Sequence, residues 1–214
     1  VGTKTNSGTE IEKAGLTNGK LYGVAVSGMI TETNESTPSA GTAFSLVDLG
    51  NVENNTGTEL NTNSINLGVT TFLRPEDGVW NPKSPNDFYF VATNSFSSPS
   101  RLWKLAFIDA ANPELGGTIT AALDGTEGQK MMDNITADNY GHLIITEDVG
   151  NNAHIGKIWQ YTTETDVLTQ IGAHDTTLFL TGKPDFLTQD EESSGQIDVQ
   201  DILGAGNFLI VDQA

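Results

Sequence analysis

Short apolar runs, rather than helical stripes, dominate the hydrophobic pattern of the chain. Each run is apolar throughout or alternates apolar with polar positions, and Gly, Asn, Asp or Pro bounds it. Segments of this kind are typical of short β-strands joined by turns. The pattern predicts an all-β fold with strands at residues 20–28, 42–50, 87–93, 101–108, 117–123, 142–148, 157–163, 166–172 and 207–213.

Helical periodicity is sparse. The best helical segment is "EIEKAGL" at residues 10–16. Asn18-Gly19, directly before the first predicted strand, is a strong signal for a tight hairpin. Residues 29–68 are polar and rich in Asn and Thr, so we expect an irregular unit with long loops there.

An internal repeat relates residues 76–107 to residues 132–163. The alignment places Asp77 over Asp133 and Trp103 over Trp159, each at a shift of 56 residues. Each unit contains an acidic turn, a short strand, an apolar strand and a strand that carries the Trp, which predicts that both Trp side chains pack in the core. A third, partial copy begins at Glu192.

Repeats of about this length with four strands each are typical of β-propeller blades. The predicted architecture is a single β-propeller domain over residues 1–214, with about four blades of a larger, six-bladed ring. Both ends of the sequence fall inside blades, so we expect a fragment of a longer protein. The alternative is a β-sandwich in which the repeat arose by chance.

Composition and charge exclude several classes of protein. The 28 Asp and Glu residues outnumber the 10 Lys and Arg residues, and the formal net charge of −18 disfavours nucleic acids and anionic membranes as partners. The chain has no Cys, which excludes disulfides, thiolate catalysis and Cys-ligated zinc. No apolar run reaches the roughly 18 residues of a transmembrane helix. The three histidines, which lack metal-ligand spacing, are interpreted as structural or surface residues.

Acidic residues recur at the same point of each repeat. Because propeller blades converge on a central channel, equivalent acidic turns would meet around one axis. Carboxylates gathered in this way repel one another unless a cation binds, and calcium accepts six to eight oxygen ligands. The candidate calcium ligands are Glu76, Asp77, Asp133, Glu147, Asp148, Glu191 and Glu192, with Asp190 beside them and Asn134 as a neutral ligand.

Arg74 precedes Glu76 in the segment "RPED". Its planar guanidinium is suited to grip a phosphate or a carboxylate. Arg74 is therefore a candidate for binding an anion. The alternative is an ion pair with Asp77 or with an acid of a neighbouring blade.

Several motifs, taken together and in order, resemble the PhoX-type alkaline phosphatases and their bacterial phytase-like relatives. The resemblance extends over most of the chain and is weakest in residues 30–68. The motifs are "EKAGLTNGKLYGV", "FLRPEDGVWNP", "FYFVAT", "SRLWKL", "DNITADNYGHLIITED", "IWQY" and "EESSGQIDVQDILG".

The resemblance implies a six-bladed β-propeller among secreted or periplasmic bacterial phosphatases that use calcium with iron to release phosphate from phosphomonoesters. It implies that Arg74 is the catalytic, phosphate-binding residue that contacts the substrate and that Glu76 binds metal, with Glu147, Asp148 and Glu192 as further ligands. The best-known type uses a Cys as an iron ligand, and this chain has none. Several further ligands of the family come from blades that precede this segment.

Two functions from different classes follow. The first is a metal-dependent phosphomonoesterase, or part of one, located in the periplasm or outside the cell. The second is a non-catalytic, calcium-binding β-propeller with a structural or binding role at the cell surface. A weaker third option is a sugar-binding propeller that uses Trp80 or Tyr89 as a stacking surface. For the first two, we expect the remaining blades as partners, no nucleic acid and no membrane insertion.

Overall fold

The computed structural model describes residues 1–213, and antiparallel β-structure dominates it. The described residues form twelve strands: β1 (Tyr22–Val26), β2 (Ala43–Asp48), β3 (Pro75–Trp80), β4 (Asp87–Ala92), β5 (Arg101–Phe107), β6 (Gly117–Leu123), β7 (Met132–Ala137), β8 (His142–Glu147), β9 (Lys157–Thr162), β10 (Val167–Ala173), β11 (Glu192–Asp198) and β12 (Phe208–Gln213). The four short helices in the same range are α1 (Glu10–Lys13), α2 (Gly57–Asn66), α3 (Thr176–Phe179) and α4 (Gln200–Leu203). The all-β prediction is confirmed, and each of the nine predicted strands coincides with an observed one to within two residues at either end.

The strands form three sheets. The first has the order β1-β2-β6-β5-β4-β3, the second β10-β9-β8-β7, and the third consists of β11 and β12. All neighbours in these sheets are antiparallel, so β3–β6 and β7–β10 are two consecutive four-stranded meanders. The propeller arrangement of such units stays a prediction.

The sequence repeat coincides with these meanders. Trp103 lies on β5 and Trp159 on β9, the third strand of each meander. Asp77 and Asp133 lie on β3 and β7, the first strands. The 56-residue shift therefore relates equivalent strands.

A shared apolar core joins the two meanders. Tyr89, Val91 and Leu102 of the first meander pack in one cluster with Leu143 and Ile145 of the second. All five side chains are at most 2% exposed. Because the cluster draws on both sheets, its burial stabilises their mutual position as well as each sheet.

A second core lies on the opposite side of the first meander. Trp103, Leu105 and Ile119 pack there against Val26 and Phe44 of the β1–β2 hairpin. The hairpin joins the meander through pairing of β2 with β6. The first sheet therefore has six strands although the repeat supplies only four of them.

The N-terminal third differs from the sequence predictions in two places. The predicted hairpin at Asn18-Gly19 is wrong. The structure has no strand between residue 1 and Tyr22, and β1 pairs with β2 instead. The Asn18 side chain bonds the backbone N and O of Thr3, each at 2.9 Å, which makes it a loop clamp. The region expected to be irregular contains α2, whose N-terminus is fixed by a capping box between Thr56 and Glu59.

The helical prediction at residues 10–16 is confirmed in shorter form. Helix α1 has only four residues, and Thr9 and Glu12 close its N-terminus with a capping box. None of the helices within residues 1–213 is long and apolar enough to cross a membrane.

The buried Trp pair gives the first prediction. Trp103 is 0% and Trp159 7% exposed, so either change to Ala leaves a large cavity and should lower the free energy of unfolding by about 3–5 kcal/mol. Denaturant unfolding measures this loss. The matched control is Trp80→Ala, because Trp80 is 43% exposed and should cost clearly less. A loss below about 1 kcal/mol at Trp103 or Trp159 would contradict the equivalence of the two meanders.

Candidate functional site

Four carboxylates from all three sheets interact electrostatically: Asp133 on β7 interacts with Glu76 on β3, Asp148 just after β8, and Glu192 at the start of β11. We call them the acidic cluster. Burial, followed by the charges of Glu76, Asp148 and Glu192, raises the pKa of Asp133 to about 6 from its usual 3.8. The cluster therefore carries repulsion that a nearby cation or protonation of Asp133 relieves.

Bulges in the first strands present these acids. The pairing of β3 with β4 shifts between Pro75 and Gly78, and the pairing of β7 with β8 shifts between Met132 and Asn134. β11 contains a similar irregularity opposite β12. A bulge bends its strand and redirects a side chain, and bulges are frequent beside active sites. The acids that the sequence places in turns thus lie within strands.

An isolated bridge brings the other two members of the cluster together. Asp148 and Glu192 pair as antiparallel partners between the second and third sheets. The Asp148 side chain also accepts a hydrogen bond of 2.9 Å from the backbone N–H of Gly150, which fixes the turn after β8.

Asp77 and Asn134 lie beside the cluster but serve as links between strands. The Asp77 carboxylate accepts hydrogen bonds from the backbone N–H groups of Gly78 at 2.7 Å and Ile135 at 3.1 Å. Asn134 Oδ1 accepts one from Gly195 N at 3.1 Å. Both residues are third in their strand, and each holds the first strand of the next sheet. Their contacts give them a positioning role, and metal ligation by either stays a prediction.

Glu147 and Glu191 are fully buried, at 0% exposure, away from the cluster. Glu147 accepts hydrogen bonds from the backbone N–H groups of Lys130 and Lys157 and from the indole of Trp159, and its Oε2 lies 2.7 Å from His154 Nε2. Glu191 Oε1 accepts one from Gly156 N at 3.2 Å. The neighbouring candidate Asp190 is exposed.

Four adjacent residue pairs are therefore divided in the same way. One member of each pair joins the acidic cluster and the other accepts structural hydrogen bonds. The pairs are Glu76 with Asp77, Asp133 with Asn134, Asp148 with Glu147, and Glu192 with Glu191. Of the eight predicted ligands, the structure brings four together.

Arg74 lies at the edge of the cluster. Its Nη2 is 3.2 Å from Glu76 Oε1, so the predicted alternative of an ion pair with Asp77 is replaced by one with Glu76. The side chain is 51% exposed, and its guanidinium carbon lies 6.0 Å from the centroid of the Phe96 ring. The backbone has a φ of 54°, an unfavourable region for Arg and one found disproportionately at functional sites. The charge of Arg74 opposes the rise in the pKa of Asp133.

The histidines have polar partners that sequence reasoning missed. His142 lies 2.7 Å from Asp138, His154 2.7 Å from Glu147, and His174 2.7 Å from Asp212. These partners are 4, 7 and 38 residues away in sequence, so no common spacing predicts the three pairs.

The acidic cluster matches calcium in donor chemistry but not in ligand number. All four side chains offer oxygen, as calcium prefers. However, residues 1–213 contain no group of three or more His, Asp or Glu side chains placed to hold a metal ion. Waters or further oxygen atoms would have to complete the coordination of a bound ion.

Comparison with protein-family models gives no match, and comparisons with curated proteins and with solved structures give no significant one. The resemblance to the PhoX-type phosphatases therefore stays a prediction.

The raised pKa of Asp133 predicts a pH-dependent stability. Because the folded pKa, about 6, lies above the unfolded value of 3.8, ionisation of Asp133 costs stability as pH rises from about 4 through 6. Asp133→Asn should stabilise the calcium-free protein by about 1–2 kcal/mol at pH 8, since solvent screening reduces the roughly 3 kcal/mol that the shift represents. Below pH 4 the two proteins should unfold alike.

Denaturant unfolding at pH 8 and at pH 3.5 measures both limits. Asp87→Asn is the comparison variant, because Asp87 forms a 2.7 Å ion pair with Lys104 and its loss should not stabilise the protein. Equal stability of Asp133→Asn and the unmodified chain at pH 8 would show that the repulsion is absent.

Proposed function

We propose that this chain supplies a phosphate-binding and cation-binding face of a metal-dependent phosphomonoesterase built on a β-propeller. The observation that carries the proposal is the position of Arg74 beside four carboxylates contributed by three sheets. A cation bound among carboxylates and a half-exposed guanidinium together match a phosphomonoester, whose oxygens carry negative charge.

The propeller reading draws support from the repetition of the sheets. The meanders β3–β6 and β7–β10 have the same strand order, and β11 with β12 begins a third unit. Asp77 bonds from β3 to β7, and Asn134 bonds from β7 to β11, so consecutive first strands are linked in the same way. First strands that follow one another around an axis are what a propeller channel requires.

Each residue of the site has a definite task in this proposal. Arg74 binds the phosphate through guanidinium N–H groups not used by Glu76, and its exposed side chain leaves them accessible. Glu76, Asp133, Asp148 and Glu192 would hold calcium. When bound, calcium neutralises phosphoryl oxygens. The iron that the resemblance implies has no Cys ligand in this chain, and no task is assigned to it.

Removal of Arg74 tests the phosphate-binding role. Arg74→Ala should reduce kcat/KM for an aryl phosphomonoester by about 10²–10³-fold in calcium-containing buffer, the usual effect of removing a preorganised charge-stabilising donor. Initial hydrolysis rates measure it. Lys83→Ala is the matched control, because Lys83 is a partly exposed cation paired with Glu164 in a separate ion pair. Activity that survives Arg74→Ala unchanged rules out this role.

Calcium titration tests the metal-binding role separately. Glu76→Gln should reduce the calcium-dependent rise in Tm, because it removes one charge and one strong oxygen ligand. Thermal unfolding with and without calcium measures the rise. Glu164→Gln, an exposed acid in the pair with Lys83, should leave it unchanged. A titration of Glu76→Gln that matches the unmodified chain removes Glu76 from the site.

The second candidate is a non-catalytic, calcium-binding propeller with a structural or binding role at the cell surface. Its support is the ion pair of Arg74 with Glu76, which occupies part of the guanidinium. The same two experiments separate the candidates. Calcium stabilisation without measurable hydrolysis favours the second.

A further inference from the structure

A second group of polar side chains surrounds Gly156, away from the acidic cluster. The backbone N–H of His174 donates to the carbonyl of Gly156 at 3.0 Å, and Gly156 N donates to Glu191 Oε1 at 3.2 Å. The imidazole also lies against the glycine, because a Cβ at Gly156 would sit 2.8 Å from His174 Nδ1. One glycine thus brings a carboxylate and an imidazole together.

Both side chains contain a buried polar atom that has no partner. These atoms are Glu191 Oε2, in a residue of 0% exposure, and His174 Nδ1, in a side chain of 7% exposure. Buried polar atoms in folded proteins nearly always have a partner, and an unpartnered one costs stability. Two such atoms beside one glycine indicate a bound species that donates to both or is positively charged.

The partners of His174 fix its tautomer. Its Nε2 lies 2.7 Å from Asp212 Oδ1, and an ionised carboxylate only accepts hydrogen bonds, so Nε2 carries the proton. In the neutral ring, Nδ1 then has a lone pair. Ser193 Oγ lies 2.9 Å from the same carboxylate oxygen and donates to it. Ser193 is therefore not set up as a nucleophile, because Nε2 is not free to take its proton.

An imidazole held by a carboxylate is the arrangement that supports metal-ligating histidines. Such ligands almost always donate their other ring N–H to a carboxylate, a carbonyl or water, which fixes the ring and its tautomer. Within residues 1–213, neither His142 nor His154 has a buried ring nitrogen without a hydrogen-bond partner. His174 is distinguished from them by this feature.

We propose that His174 Nδ1 and Glu191 Oε2 bind a divalent metal ion of the zinc type beside Gly156. A neutral imidazole nitrogen with a carboxylate oxygen suits zinc, whereas calcium prefers oxygen alone. Two side chains are fewer than zinc usually takes from a protein, so waters complete the coordination and the affinity is below that of a three-ligand site. The Glu147 carbonyl, 3.4 Å from the same Cβ position on Gly156, is a further oxygen nearby.

A cavity of about 250 Å³ lies on the Nε2 side of the His174 ring. Its lining includes His174, Ser193 and Asp212, together with Ile158, Ala173 and Ile210. The cavity reaches the polar edge of His174 from the side of Asp212, which is 58% exposed.

Zinc titration of the full chain by isothermal calorimetry tests the proposal. Excess calcium is present to occupy the acidic cluster, so binding to oxygen-only sites is suppressed. The chain should bind one zinc ion, and Glu191→Gln and His174→Gln should abolish this binding. Asp212→Asn, which acts through the orientation of His174, should weaken it by about 10–100-fold.

The matched control is His142→Gln, because His142 is paired with Asp138 at the same 2.7 Å distance and should leave zinc binding unchanged. Glu191→Gln keeps the size of the side chain and an oxygen that accepts from Gly156 N, so we expect it to preserve the fold. If His174→Gln does not fold, zinc binding by Glu191→Gln alone tests the proposal. No zinc binding by the unmodified chain, or binding that survives Glu191→Gln, overturns the proposal and leaves a water as the occupant.

Discussion

Buried carboxylates that accept a Trp indole N–H hold both meanders of this protein in place. In the second meander, Glu147 accepts from Trp159 at 2.8 Å and from Lys130 N at 2.9 Å, just before β7. In the first, Glu32 accepts from Trp103 at 3.1 Å and from Leu73 N at 2.7 Å, just before β3. Each carboxylate thus ties the third strand of a meander to the entrance of its first strand. The acidic cluster depends on them because Glu76 and Asp133 lie on those first strands and Asp148 directly follows Glu147.

The two carboxylates reach equivalent places from different parts of the chain. Glu147 belongs to β8 of its own meander, whereas Glu32 lies in the connection between β1 and β2. A buried charge is tolerated only when hydrogen bonds replace its hydration. Glu32 has this replacement from Leu73, Trp103 and the nearby guanidinium of Arg101, although burial still raises its pKa. In the acidic cluster Glu76 is paired with Arg74 and Asp148 accepts one backbone N–H, but burial and the neighbouring charges still raise the pKa of Asp133, which is why we place ligand binding there.

The sequence alone predicts the apolar strands and the Trp repeat, because both depend on local pattern. It does not predict β3 as a strand with a bulge, because Pro75, Glu76, Asp77 and Gly78 are residues that usually favour turns. The hairpin predicted at Asn18 does not form. The Asn18 side chain instead bonds the backbone of Thr3, 15 residues away, a contact that local sequence does not reveal. The capping box at Thr56 was a readable signal for α2, but the helix has no buried residue and hence no apolar stripe.

The division of the acidic pairs is the part of the site that no sequence pattern contains. Neighbouring residues in extended backbone point to opposite sides, so two adjacent acids cannot both face one metal ion without a bulge or a turn. Glu147 and Asp148 follow this rule, as do Glu191 and Glu192. If both acids of each pair are taken as ligands, the sequence predicts one large metal site with oxygen ligands only. Divided as they are, they give an oxygen-only cluster beside Arg74 and a separate carboxylate–imidazole site beside Gly156, and the two differ in the metal ions that they favour.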